Sequence, residues 1–210
     1  MTQALPPGIC RYVQTDYGGI TERTRITVTR RGHEIIISDT TVGSLSGDAF
    51  SCSDEMTLAP TLEPRRYGGR IRMRDRTSTA SVTFGTTAAV VVGTATHGRP
   101  RTFEPLPRMH HLVVIAPPLF GGLFVLPAQL DVWRASAVTA VRPSFGDAQI
   151  LATSPRTSLP RPRGISTRDR ALTITGPDAA TIWYDATTYV IDEALVPAHH
   201  VVIARQFDFV

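Results

Sequence analysis

Four arginines at alternate positions, Arg70, Arg72, Arg74 and Arg76, form the clearest chemical pattern in the chain. In an extended strand alternate side chains share a face, so these guanidiniums would stand about 6.6 Å apart. That spacing suits successive phosphates or a carboxylate-rich surface, and arginine's planar fork binds either group bidentately. A solvated strand face, with Ile71, Met73 and Asp75 behind it, accounts for the same pattern without a ligand. No aromatic residues interleave with the arginines to stack bases, so nucleic acid is not the expected partner.

Histidine occurs in two echoing runs, His110-His111-Leu112-Val113-Val114-Ile115 and His199-His200-Val201-Val202-Ile203. Adjacent histidines in a strand point to opposite faces, so each pair offers at most one ligand to a given site. One histidine from each run, with His97 or a carboxylate, could share a metal if the strands were neighbours. No His-x-His or His-Glu-x-x-His spacing supports that, and no metal site is assigned. His111 and His200 remain candidates for a general base, because imidazole exchanges its proton near neutral pH. Nucleophile patterns are absent: Gly43-Ser44-Leu45-Ser46-Gly47 has leucine where a nucleophile elbow needs serine. Asp48, Asp54 and Glu55, near Cys52, read as solvated turn residues rather than an acid–base pair. No glycine-rich loop enters a helix to hold a phosphate, and no cofactor is implied.

Tyr67, Trp133 and Trp183 are the aromatic side chains suited to ligand contact. Trp133 reads as a mid-strand residue with Asp131 and Ala135 on its own face. Such a side chain either packs in the core or lines the apolar concavity of a curved sheet. Arg72 or Arg74 at the rim could then pair with an anionic head group.

The elements that must carry these residues are strands. Residues 21–29 are rich in threonine, isoleucine and valine; Arg30-Arg31-Gly32-His33 marks a turn, and residues 34–39 complete a hairpin. Similar runs cover residues 70–76, 80–84, 88–95, 111–115, 122–126, 130–141, 148–153, 171–175, 181–184, 187–191 and 201–207. Glycine, proline, aspartate and serine separate them. Helical periodicity is nearly absent: around residues 119–128, Gly121-Gly122 and Pro127 argue against a helix. The expected fold is therefore all-β, a curved antiparallel meander forming a half-barrel or a lipocalin-like barrel. Pro155, Pro160 and Pro162 make residues 154–163 a loop, not a boundary, and residues 1–210 read as a single β domain.

Composition bounds the chemistry further. With 42% apolar and 19% charged residues the chain of 210 residues is globular. Its longest apolar stretches are far short of the roughly 20 residues of a transmembrane helix, so no transmembrane segment is expected. There is no lysine and no asparagine: all 22 basic side chains are arginine. That excludes a lysine Schiff base, a papain-like triad and N-glycosylation. The net charge of +4 supports only mild attraction to anions. Cys10 and Cys52 have no metal spacing and could form one disulfide or two buried thiols. The opening Met-Thr-Gln-Ala-Leu-Pro-Pro-Gly has neither a charged n-region nor an apolar h-region.

Several short motifs give the chain a wider likeness. They are Cys10-Arg11-Tyr12 on the first strand, Met56-Thr57-Leu58-Ala59-Pro60 before Arg66-Tyr67, and Leu112-Val113-Val114-Ile115 leading into residues 122–126 and Pro127-Ala128-Gln129-Leu130. Ile182-Trp183-Tyr184-Asp185 with Thr187-Thr188 completes the set. In these the chain resembles the bacterial half-barrel proteins, a group that includes lipoprotein carriers, uncharacterised exported proteins and a pigment-pathway enzyme. The resemblance implies a curved antiparallel sheet holding an apolar or amphiphilic ligand. It implies an exported protein, periplasmic or extracellular, whose leader is absent from this sequence; a cytoplasmic protein is the alternative. No catalytic residue carries over. The expected function is binding of a hydrophobic or amphiphilic small molecule in the concave face, through Tyr67, Arg72, Arg74, Trp133 and Trp183. The alternative is a cofactor-free enzyme on the same scaffold, with a histidine as base. Oligomeric state is not legible.

Overall fold

Long runs in which apolar or small residues alternate with arginine, serine and threonine dictate half-buried strands. A computed structural model of the chain describes residues 5–16, 19–45, 47–85, 88–95, 101–102, 106–107, 112–114, 120–134, 139–141, 157–158, 169–174, 180–196 and 201–206. The first half is a meander of β1 (Gly8–Asp16), β2 (Gly19–Arg31), β3 (Glu34–Leu45), β4 (Asp48–Leu58), β5 (Pro64–Met73), β6 (Arg76–Phe84) and β7 (Ala88–Ala95). Short strands β8 (Arg101–Thr102), β9 (Leu106–Pro107) and β10 (Leu112–Val114) lead to a helix, α1 (Phe120–Trp133). Then follow β11 (Thr139–Val141), β12 (Thr157–Ser158), β13 (Asp169–Ile174), β14 (Ala180–Asp185), β15 (Ile191–Val196) and β16 (Val201–Gln206).

One 14-stranded sheet runs in the order β12-β13-β14-β15-β16-β1-β2-β3-β4-β5-β6-β7-β8, with β9 also on β7. Every ladder in it is antiparallel, and β1 joins the two halves by pairing with both β16 and β2. Among the described residues its two ends do not pair, so the curved meander is open rather than closed into a barrel. A separate two-stranded sheet, β10 with β11, is parallel. No helix among the described residues is long and apolar enough to cross a membrane.

The residue 21–39 hairpin is present as expected, and Gly32 at φ 59 supplies its turn. Other expectations change. Residues 122–126 and the start of 130–141 are not strands but the helix α1, with Pro127 inside it. Its residues Phe124 to Leu130 are all buried, Gln129 included. A helix apolar all round is carried by burial in the core, which here outweighs the poor propensity of its glycines and proline. Trp133 accordingly ends a helix instead of lying mid-strand. The arginine stripe is also broken, because β5 stops at Met73 and Arg74, at φ 52, turns the chain into β6. Of the two readings left open for Cys10 and Cys52, the structure has the second: both are free, buried thiols.

The helix packs on the inner face. Phe124 meets Tyr12 edge-on at 6.3 Å, and Tyr12 donates its hydroxyl to the Ile191 carbonyl at 2.8 Å. Gln129 donates to the Leu62 carbonyl at 3.0 Å and Trp133 to that of Thr61 at 2.7 Å, tying both to the segment between β4 and β5. At the opposite end of the strands packing is tightest at Gly43. A Cβ there would lie 2.7 Å from the Thr21 carbonyl oxygen, 2.7 Å from Glu22 Cγ and 2.9 Å from Phe50 Cε1. Gly43→Ala should therefore lower the unfolding free energy by about 1–3 kcal/mol in urea titrations. Gly68→Ala, with nothing within 4 Å, should stay within about 0.5 kcal/mol of the parent. Equal effects of the two substitutions would contradict this packing.

Candidate functional site

Register carries the inner-face residues of β1 to β6 into rows. One row reads Cys10, Ile26, Asp39, Asp54, Gly69, Ala80, each the direct partner of the next. Toward α1 the adjoining row is apolar: Val28, Ile37, Met56, Tyr67, Val82. On the other side lies a mixed row, Tyr12, Thr24, Thr41, Cys52, Ile71, Ser78. Asp39 and Asp54 thus face each other across β3 and β4 on the buried side of the sheet, only 4% and 9% exposed. Directly opposed side chains have their Cβ atoms about 4.5–5.5 Å apart, so the two carboxyl groups share one environment.

Hydrogen bonds satisfy this environment incompletely. Thr41 donates to Asp39 Oδ1 at 3.0 Å and shares a 2.8 Å hydrogen bond with Thr24, while the Cys52 thiol donates to Asp54 Oδ1 at 3.4 Å. Asp39 Oδ2 is buried without a hydrogen bond. Tyr67, 5% exposed, lies two residues from Gly69 on the same face. Its hydroxyl is near enough to draw the Asp54 carboxyl pKa down, yet short of hydrogen-bond geometry, and makes no other hydrogen bond. Beyond Asp54 the row offers only Gly69 and Ala80, side chains of no and one heavy atom.

The electrostatics follow from burial without a counter-ion among the described residues. Desolvation, then the charge of Asp54, raises Asp39 from 3.8 to about 7, against the opposing hydrogen bond from Thr41. Desolvation likewise raises Asp54 to about 7. Glu22, on the inner face of β2, is raised by burial as well. Burial and the neighbouring carboxylates also push the Cys52 thiol and the Tyr67 phenol up, so both stay protonated. Two carboxyl groups this close near neutral pH titrate as a pair and hold a proton between them. Such a pair can accept a donor or a positive charge, and in its protonated form can donate.

The residues singled out from the sequence are not gathered at one place. Tyr67 joins the pair. Arg72 is exposed and alternates with buried Gly69 and half-buried Ile71, so it projects from the opposite face of β5. Arg74 lies in the β5–β6 turn and bonds Asp48 through Nε at 2.8 Å. Trp133 sits at the end of α1, packed against the core, and Trp183 on β14 alternates with the buried Ile182 and Tyr184. Asp54, read as a solvated turn residue, is instead buried in β4, whereas Glu55 beside it is exposed. His111 and His200, with His97, His110 and His199, lie outside the described residues, as does the strand expected at residues 148–153. Among the described residues no group of three or more metal-ligating side chains could hold a metal ion.

Asp39 and its partners Thr24, Thr41 and Glu22 were missed. The signal was available: Ile35, Ile37, Asp39, Thr41 and Cys52, Asp54, Met56 each continue one buried phase through a polar residue.

Among the described residues, an open, curved, antiparallel β-meander with one inserted helix defines the class of fold. No protein-family model and no curated protein sequence matches the chain. Among solved structures it is similar to the β-barrel-like protein of domain of unknown function DUF1849 from Brucella abortus, with a TM-score of 0.55 and 8% identity over 97% of this chain and 96% of that one. A DUF1089 family protein from Pseudomonas aeruginosa has a TM-score of 0.47 and 9% identity, over 80% of this chain and 86% of that one. The first likeness is one of fold, and it is consistent with the half-barrel resemblance without assigning a family.

The raised carboxyl pKa values make a stability prediction. The folded state holds protons that the unfolded chain releases above about 3.8, so stability is full below that value and declines as pH rises through about 7. The slope should reach about 1.4 kcal/mol per pH unit for each retained proton. Asp39→Asn should flatten the decline in a urea–pH series. A parent curve that is flat or rises over this range would show that the carboxyls are not held protonated.

Proposed function

We propose that the chain binds a small molecule with a polar head and an apolar body, the head seated at Asp39, Asp54 and Tyr67. The observation that carries this reading is the buried carboxyl pair with its open valences, Asp39 Oδ2 and the Tyr67 hydroxyl. A core selected only for stability would place apolar side chains there, since leaving a buried polar group unbonded costs about 1–3 kcal/mol. Polar groups kept at such a cost are most economically explained by a ligand that completes their hydrogen bonds. Phe50 and the half-buried Ile71 and Met73 continue the inner face beyond the pair and supply apolar area for the body. Trp133 and Trp183 flank other parts of the sheet and serve as reporters rather than as contacts with the head. The histidine-base enzyme reading draws no support from this site, whose titratable groups are carboxyl, thiol and phenol.

Tyr67→Phe separates ligand binding from fold stability. Removing an unbonded buried hydroxyl should stabilise the protein by about 1–2 kcal/mol. The same change should weaken a ligand found by native mass spectrometry or thermal shift about tenfold, the loss of one hydrogen bond of about 1.4 kcal/mol. Destabilisation together with unchanged ligand affinity would overturn the assignment of Tyr67.

A further inference from the structure

The charges surrounding the pair decide which head group it takes. Facing Asp39 and Asp54 are Glu22 from β2, Cys52 from β4 and Tyr67 from β5, with hydroxyls from Thr24 and Thr41. Among the described residues, none of the charged groups acting on either carboxyl is positive. Arg205 acts on Cys10 and Tyr12 of β1, two strands from Asp39 and three from Asp54, and is not among the groups acting on the pair. Two buried carboxyls and the half-buried Glu22 are therefore gathered on one inner surface without a cation among the described residues, although the chain holds 22 arginines.

We infer that Asp39 and Asp54 form the binding site for a cationic amine, which enters ammonium-first and supplies the missing counter-charge. This assignment rests on the proposed binding function and names the chemistry of its ligand. An ammonium has three donors and no acceptor. It matches a surface whose open valence on Asp39 is an acceptor and whose Tyr67 oxygen can accept as well. An anionic head would meet like charge, and a neutral alcohol would leave the charge of the pair uncompensated. A metal ion is disfavoured by the donor set, in which Asp39 and Asp54 already accept from Thr41 and Cys52 and the thiol stays protonated. On binding, the ammonium replaces the proton held by the pair, and that proton leaves to solvent. No covalent bond changes.

The probes are octylammonium, octanol and octanoate, which share one alkyl chain and differ in head group, titrated calorimetrically into the intact protein. Octylammonium should bind most tightly, at least tenfold ahead of the other two. Its affinity should rise about tenfold from about pH 6 to about pH 8, the change expected when one proton must be displaced from a pair titrating between them. Asp39→Asn and Asp54→Asn should each abolish both the preference and the pH dependence. Octanol or octanoate binding as tightly as octylammonium, or an affinity indifferent to pH, overturns the cationic assignment while the binding function stands. Failure of all three to bind overturns both. Calcium chloride or zinc chloride raising the Tm more than octylammonium would replace the amine site with a metal site. The wild-type series decides the matter even if a variant folds poorly.

Discussion

From β1 to β6 the ladders keep continuous register through the middle of every strand, and the rest of the molecule depends on that continuity. The two irregularities, between Gln14 and Thr15 and between Thr57 and Leu58, fall at strand ends, outside the row that contains Asp39 and Asp54. Because side chains alternate strictly, a slip of one residue in any strand would send its whole buried set to solvent. Ile35, Ile37, Met56, Leu58, Ile26 and Val28 hold the register by their burial. The same constraint fixes the fate of polar residues on that phase. Once Ile35 and Ile37 are buried, Asp39 and Thr41 must follow them inward.

The inner face is divided by what covers it. Where α1 lies, the wall is largely apolar, and the helix exists because its surroundings bury Phe124 to Leu130 on every side. Two of its polar groups are directed to carbonyls of the β4–β5 connection, Gln129 to Leu62 and Trp133 to Thr61, while Asp131 accepts from the Tyr189 hydroxyl. In the adjoining row the wall turns polar, and its carboxyls, with the Cys52 thiol on one side and the Tyr67 phenol on the other, satisfy one another only in part. The apolar end therefore offsets the cost of the buried polar groups through strands shared by both. Stability and the candidate site are consequently separable in space but joined along β3, β4 and β5.

Strands were legible because period-two alternation is a local signal that tertiary packing reinforces. The hairpin of β2 and β3 and the extent of β7 follow directly from residue types. The helix was not legible: Gly121, Gly122 and Pro127 are poor helix formers, and the burial that overrides them is contributed by strands distant in sequence. Arg74 carried no mark of its turn, since it continues the arginine alternation through Arg70 and Arg72. Tyr67 was chosen for its aromatic area, yet its hydroxyl places it at the site. Asp54 was judged by residue type, as a solvated turn residue like Asp48 and Glu55, when the phase shared with Cys52 and Met56 would have placed it inside. Its pairing with Asp39 needs the register of β3 on β4, a non-local fact set by the turn around Gly47.

The positive net charge does not relieve the buried pair, and the reason is again the alternation of the sheet. On the outer face the row one residue along reads Arg25, Thr40, Ser53, Arg70, immediately behind Ile26, Asp39, Asp54 and Gly69. These arginines are neighbours of the carboxyls in sequence and register, but they project into solvent, where water and ions screen them. A guanidinium there keeps its hydration and offers no hydrogen bond through the sheet. Bringing it inside would require the register slip that the apolar residues forbid. Counter-charge for Asp39 and Asp54 can therefore come only from the inner side, as a proton held between them or as a cation that takes its place.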